Sequence, residues 1–320
     1  MSQAPQSQAT LPEPSPIAQS ASFKDRALNV ALLLVIAFIW ASAFGAMKIA
    51  VQETGALTLA ATRSSIAAAI LLIILRIKGP IDWQIGVRHF PKFLVVGGLG
   101  SALPFAMIPW AEYYVESSLA GLLMSVGPLA TLAGAFAFGL EKEIPKRRIF
   151  GLVIGLCGAV LIFSDGLRMA GSANLTAQIV IVLASLCYVC GNLMVRRLSF
   201  IPPLTISALA ISLSSLLLWP VALIFETPAF GTWSVVAWQM VLWLGVMSTA
   251  FAFSIRYFLI ARAGASFTSY VGYLIPAFAV MIGAIWLGET VTIEKLLALC
   301  LILVGLVFAQ KPASGQKNQS

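Results

Sequence analysis

Residues 127–141 read GPLATLAGAFAFGLE, and residues 275–289 read IPAFAVMIGAIWLGE. Pro128 stands thirteen residues before Glu141, Pro276 stands thirteen before Glu289, and the two pairs are displaced by 148 along the chain. The displacement recurs without a gap: Trp40 falls on Tyr188, Lys48 on Arg196, Gly97 on Gly245, Ala102 on Ala250 and Phe105 on Phe253. One such match is chance in so apolar a chain. Together they predict that residues 28–165 and 174–311 are two copies of one unit.

Composition names the solvent of both copies. With 60% apolar residues, 10% charged residues and a mean hydropathy of +0.95, the chain lacks the polar surface a soluble domain needs. A membrane span takes about 20 mostly apolar residues. Ten such runs are expected near 28–48, 57–77, 93–112, 118–140, 148–165, 174–195, 204–225, 235–261, 266–288 and 293–311. Barrel strands would alternate polar and apolar residues, whereas runs such as Ala31–Trp40 and Leu296–Val304 are continuous. The expectation is an all-α polytopic membrane protein.

Five spans per copy is an odd number, so the second copy must enter the membrane from the opposite side. The predicted fold is therefore ten transmembrane helices arranged as two inverted five-helix repeats. The charges agree, because short cytoplasmic loops retain Lys and Arg. With the N-terminus inside, the cytoplasmic segments hold Lys24, Arg26, Arg76, Lys78, Arg88, Lys92, Lys142, Lys146, Arg147, Arg148, Arg196, Arg197, Arg262, Lys311 and Lys317. The opposite side holds only Arg168 and Lys295. The pI of 9.5 thus reflects orientation, and no nucleic-acid partner is implied. Both termini are expected in the cytoplasm. Residues 1–27 and 312–320 read as tails, and the Gln-, Ser-, Pro- and Ala-rich start carries no apolar run of the signal-peptide kind.

Three stretches carry a family resemblance: Trp40-Ala-Ser-Ala-Phe44-Gly-Ala-Met-Lys48, Gly127-Pro128 through Glu141, and Ile275-Pro276 through Glu289. Over 28–311 the chain resembles the EamA-type branch of the drug/metabolite transporter superfamily. The resemblance implies a carrier of small organic solutes in the bacterial inner membrane, working by alternating access, with amino-acid-like export as the leading activity. Import of another metabolite or a drug-like solute is the alternative. It also implies a pathway lined by spans one, three, four, six, eight and nine, with spans five and ten peripheral. The sixth span departs from the first by carrying Tyr188 and Asn192 where the first has Trp40 and Phe44.

The residues suggest roles of their own. Pro128 and Pro276 delete backbone donors and free the carbonyls of Met124 and Gly272, making hinges, polar notches or packing kinks. Trp40 and Tyr188 lie deeper than interfacial aromatics and either wall a cavity or pack between helices. Asn192 follows Tyr188 by one turn and needs a partner in lipid, so it joins Trp40, Phe44, Tyr188 and Tyr270 as a candidate solute contact. Lys48, Arg63 and Glu112 form a candidate outer gate, with Glu53 or Glu112 expected to pair Arg63. Glu141 and Glu289 close spans four and nine, where a neighbouring lysine could pair each. Neither is expected to carry a coupling proton.

Other chemistry lacks material. The single histidine, His89, forms neither a metal cluster nor a triad, so no metal or cofactor is expected. Cys187 and Cys190 have C-x-x-C spacing without the flanking pattern of a redox motif. Gly97-Gly98-Leu99-Gly100 lacks the lysine of a phosphate loop. A lipid-modifying enzyme would need clustered acids or histidines, and a scaffold would not need matched prolines and aromatics. Gly151, Gly155 and Gly158 instead form a small-residue ridge suited to close helix contact.

Overall fold

The computed structural model describes residues 23–127, 130, 146–169, 171–263, 265–268 and 270–309. All regular elements among them are helical, as the need to satisfy backbone groups without water dictates. α1 is Phe23–Thr54, α2 Ala56–Lys78 and α3 the short Trp83–Arg88. α4 occupies residues 90–111 as Phe90–Phe93, a π-helical Leu94–Ala102 and Leu103–Ala111. Then follow α5 (Ser117–Met124), α6 (Lys146–Met169), α7 (Gly171–Arg196) and α8 (Pro203–Phe225). α9 occupies residues 235–263 as Val235–Leu242, a second π segment Trp243–Phe251 and Ala252–Ala263. α10 is Ala265–Thr268, α11 Val271–Trp286 and α12 Ile293–Ala309.

Six helices, α1, α2, α4, α7, α8 and α9, are long and apolar enough to cross a membrane. α11 is a shorter apolar helix. The expected span 266–288 is divided at Tyr270, whose N–H bonds to the Phe267 carbonyl while its own carbonyl takes the N–H of Tyr273. The expected span 118–140 is described over α5 and the residues just after it; Pro128, Leu129 and residues 131–145, Glu141 included, lie outside the described residues.

Packing pairs the helices in a regular way. α8 lies along α2 and α12 along α6; α11 packs on α1 and α5 on α7; α9 packs on α1 and α4 on α7; α9 also packs on α2, and α4 on α8. A shift of 148 residues lays α1 on α7, α2 on α8, α4 on α9 and α6 on α12, so the pairs built from those helices map onto one another, while α5 falls on residues 265–272, which are α10 and the start of α11. The two π segments follow the same rule to within one residue, and inside them Ser101 Oγ bonds to the Val96 carbonyl as Thr249 Oγ1 bonds to the Leu244 carbonyl.

Glycine sets the closeness of the crossings. A Cβ at Gly100 would lie 2.7 Å from Gly191 Cα, where α4 meets α7. One at Gly97 would lie 2.5 Å from the Ala210 carbonyl on α8, and one at Gly245 2.8 Å from Ile66 Cβ on α2. The expected ridge on α6 meets α12 in the same manner: a Cβ at Gly305 would fall 2.5 Å from Gly155 N and 2.7 Å from the Gly151 carbonyl. Such approach lets dispersion substitute for the hydrophobic drive that lipid removes. Large apolar side chains including Leu216, Ile224, Phe225, Ile285 and Val307 stand exposed on the outside of the bundle, as lipid contact requires.

Candidate functional site

Arg63 sits on α2 in the small-residue run Ala60-Ala61-Thr62-Arg63-Ser64 and is only 5% exposed. Small neighbours leave room for a guanidinium among packed helices. Its Cζ lies 4.1 Å from the ring centre of Phe105 on α4, a cation–π stack. One terminal nitrogen donates to Thr249 Oγ1 at 3.1 Å, the other to the Met47 thioether at 3.4 Å, and Nε has no hydrogen-bond partner among the described residues. Tyr188 on α7 packs edge-on to Phe105 with ring centres 6.5 Å apart, which brings its hydroxyl into electrostatic range of Arg63. Four elements of both predicted copies thus meet at one buried cation.

Glu112, the first residue beyond α4, is fully buried. Neither of its carboxylate oxygens has a hydrogen-bond partner among the described residues. Lys48 reaches this connection but donates to the backbone carbonyls of Glu112 and Val115, at 2.5 and 2.8 Å. The expected Arg63 pairing is thereby corrected. Arg63 hydrogen-bonds to neither carboxylate, and Glu53 accepts from the N–H and hydroxyl of Ser234 ahead of α9, at 2.6 and 2.7 Å. Glu53 is thus engaged ahead of α9, and Arg63 is held by softer partners.

The same end of the bundle carries further ties. Glu226, following α8, accepts from Leu57 N, Thr58 N and Thr58 Oγ1 at 3.0, 2.8 and 2.7 Å, capping α2. Glu289, following α11, accepts from Ser117 N, Ser117 Oγ and Ser118 N at 2.7, 2.8 and 2.9 Å, capping α5. Helix N-termini expose unpaired N–H groups and favour anions, so each carboxylate satisfies donors that lipid-side burial would otherwise strand. Lys295, a lysine that could have paired with Glu289, pairs with Glu116. These ties join helices from one predicted copy to helices from the other.

The remaining predicted residues are distributed more widely. Trp40 donates from Nε1 to the Ser248 carbonyl at 3.0 Å, a group within the π segment of α9, and Arg256 lies 5.8 Å over its ring. Phe44 is buried against Gly121, within the largest apolar cluster. Asn192 is exposed on α7 and Tyr270 is exposed ahead of α11, its ring beside Phe267 and Tyr273. Pro276 is buried within α11. Pro128 lies outside the described residues, yet the Met124 carbonyl that a proline there would free accepts the Ser185 hydroxyl of α7 at 3.4 Å.

Sequence reading missed Met47, Thr249 and Trp243. Trp243 Nε1 donates to Ser42 Oγ at 3.0 Å beside a cavity of about 290 Å³ between α1, α9 and α11, whose walls are otherwise apolar. Thr249 was detectable, because it falls on Ser101 at the shared displacement. Among the described residues there is no group of three metal-ligating side chains, and all four cysteines are free thiols.

The profile of the EamA-like transporter family matches residues 28–164 and, a second time, residues 175–309. The chain belongs to the EamA-like transporter family. It is thus an integral membrane protein of a transporter family rather than an enzyme. An uncharacterized transporter of Archaeoglobus fulgidus is 24% identical over 278 residues, which cover 87% of this chain and 96% of that protein. A protein of Streptantibioticus cattleyicolor described as a probable terminal-alkyne amino-acid exporter is 25% identical over 90% of this chain and 95% of its own length. An uncharacterized inner membrane transporter of Escherichia coli is 24% identical over 86% and 88%. A solved crystal structure shares the fold with a TM-score of 0.65 at 16% identity, covering 91% of this chain and 98% of that one.

Proposed function

We propose that the protein is a secondary carrier that exports a small, carboxylate-bearing metabolite of the amino-acid type by alternating access. Two inverted five-helix repeats would supply the two gates, and the exchange of packing partners under the 148-residue shift supports that plan. Orientation follows from the basic residues, which put the Glu112 end outside and the α1 start in the cytoplasm. In this state the outer end is closed by its carboxylate caps.

The observation that carries the substrate class is Arg63. At the shared displacement its counterpart is Ile211, itself only 2% exposed. The fold therefore accepts an aliphatic side chain where the first copy places a charge, and packing alone does not call for the guanidinium. Two of its five N–H donors meet a thioether and a hydroxyl, both weaker acceptors than a carboxylate. A solute carboxylate that reached Arg63 would gain charge-assisted bonds, with the Phe105 and Tyr188 rings as an amphipathic wall. The relative described as an amino-acid exporter agrees with that chemistry.

The test is counterflow in liposomes carrying the purified protein, without nucleotide, over a panel of labelled amino acids, nucleobases and quaternary amines. Saturable exchange of amino acids is expected. Exchange confined to solutes without a carboxylate overturns the substrate class, and exchange of no solute by folded protein counts against the carrier.

A further inference from the structure

We propose that Glu112 is a proton-binding site that holds the outer end shut, neutral while the 112–117 connection is packed and ionised once that end opens to water. The inference rests on the alternating-access reading given above.

The geometry is that of an acid without a counterpart. Glu112 is 0% exposed, and both carboxylate oxygens lack a hydrogen-bond partner among the described residues. A charged carboxylate left so is far costlier than a neutral acid, because burial removes water from the ionised form and nothing replaces it. The charged groups around it are committed elsewhere. Lys48 of α1 donates to the two flanking carbonyls. Arg63 of α2 is held by Met47, Thr249 and Phe105. Glu289, reaching in from the connection after α11, caps α5 and is a like charge. Glu116, four residues along the same connection, is taken by Lys295 of α12, and the Tyr113 hydroxyl donates to the Val51 carbonyl. Burial pushes the Glu112 carboxyl well above the usual carboxylate range; Lys48 draws it back, Glu289 raises it again and Arg63 lowers it.

Opening the outer end must lift the 112–117 connection off Lys48, since that lysine clamps carbonyls at both ends of the turn. The carboxyl then meets water and its hold on the proton falls back toward that of an ordinary exposed carboxylate. The closed form thus binds a proton that the open form releases. Its advantage is complete below the open-state value and is lost as pH rises through the higher closed-state value, by up to about tenfold per pH unit for one proton. A proton that leaves as the gate opens and returns from the same face as the gate closes makes the outer gate answer to the pH of that face. The counterpart at the shared displacement is Ile260, so the opposite gate carries no such group and the pH response is one-sided.

The experiment uses the full chain in liposomes with Cys157, Cys187, Cys190 and Cys300 replaced by Ser. Val115→Cys adds a thiol at a position 2% exposed in the closed end, and its backbone bond to Lys48 is unaffected by the substitution. Alkylation by a membrane-impermeant maleimide is followed against pH, with and without Glu112→Gln, so that thiol ionisation cancels in the ratio. The ratio is expected to rise with pH by up to about tenfold per unit; a flat ratio overturns the proposal. In parallel, counterflow by the otherwise unsubstituted protein should speed up as the outside pH rises, and Glu112→Gln should remove that dependence; a dependence that survives Glu112→Gln overturns the proposal. If Glu112→Gln instead weakens counterflow only of solutes carrying an ammonium group, the carboxylate binds solute and the proton role is overturned. Loss of all counterflow by the unsubstituted protein would sink the carrier reading, while the alkylation ratio would still decide Glu112.

Discussion

Replacing Arg63 by Lys is the sharpest perturbation of the proposed solute site, because it keeps the charge and removes the planar fork. In the resting structure the guanidinium makes one bond to Thr249, one to a thioether and one stack on Phe105. A bound carboxylate would take two parallel bonds from the fork, each charge-assisted bond contributing about 1.5–3 kcal/mol net. Lysine offers a point donor, which forfeits one of the two, and it loses part of a desolvated cation–π contact of roughly 2 kcal/mol. Since the stack exists with and without solute, only the lost bond enters the affinity. About 2 kcal/mol is expected, or on the order of 30-fold in the apparent affinity of a carboxylate solute, taking 1.4 kcal/mol per tenfold. The assay is counterflow with paired solutes, an amino acid and the amine lacking its carboxylate. Thr249→Ala is the companion variant: it frees one guanidinium nitrogen without touching the charge, and should alter affinity severalfold at most. An Arg63→Lys variant that folds and binds the amino acid as before refutes the reasoning. So does one that weakens acid and amine equally, for then Arg63 supports the pathway without touching the carboxylate.

The carboxylate caps and glycine contacts give further tests. Glu226→Ala strips the N-terminus of α2 of three acceptor contacts and, on the scale of lost N-caps, should destabilise the folded protein by about 2 kcal/mol, with Glu226→Gln costing about half that; thermal unfolding in one detergent ranks them. Gly55→Ala should lower stability by about 1–3 kcal/mol in the same assay, because Gly55 has φ 75° and ψ 156°, a region open almost only to glycine, and its added Cβ would meet the Glu226 carboxylate. Gly100→Ala presses a methyl to within 2.7 Å of the Gly191 backbone and should cost about 1–3 kcal/mol, whereas Gly98→Ala, with a nearest side-chain atom at 3.4 Å, serves as the tolerated control. Equal melting temperatures for the two glycine variants would contradict the α4–α7 crossing.

Membrane character, helical class and the boundaries of α2, α4, α7, α8 and α9 were legible because lipid demands long apolar runs, and such runs are visible in one dimension, whereas α1 extends beyond its apolar run at both ends, to Phe23 and Thr54. The π segments were not, since a register change of the backbone leaves no mark in an unbroken apolar run; only the Ser101 and Thr249 hydroxyls betray it. Glu289 was read by its neighbours in the chain and proved to serve a helix 171 or more residues away, a relation that spacing cannot encode. The candidate site shows a deeper reason for partial legibility. Matched positions at the shared displacement mark what the packing needs: Pro276, matched by Pro128, is buried in its helix, and Phe105, matched by Phe253, is buried against Arg63. Arg63 and Glu112 fall instead on Ile211 and Ile260, where the second copy is apolar. Ionisable groups buried inside a membrane bundle are retained only against a cost. If the proposed duplication holds, Arg63 and Glu112 are positions where function rather than packing set the residue, which is what the Arg63→Lys and Glu112→Gln variants test.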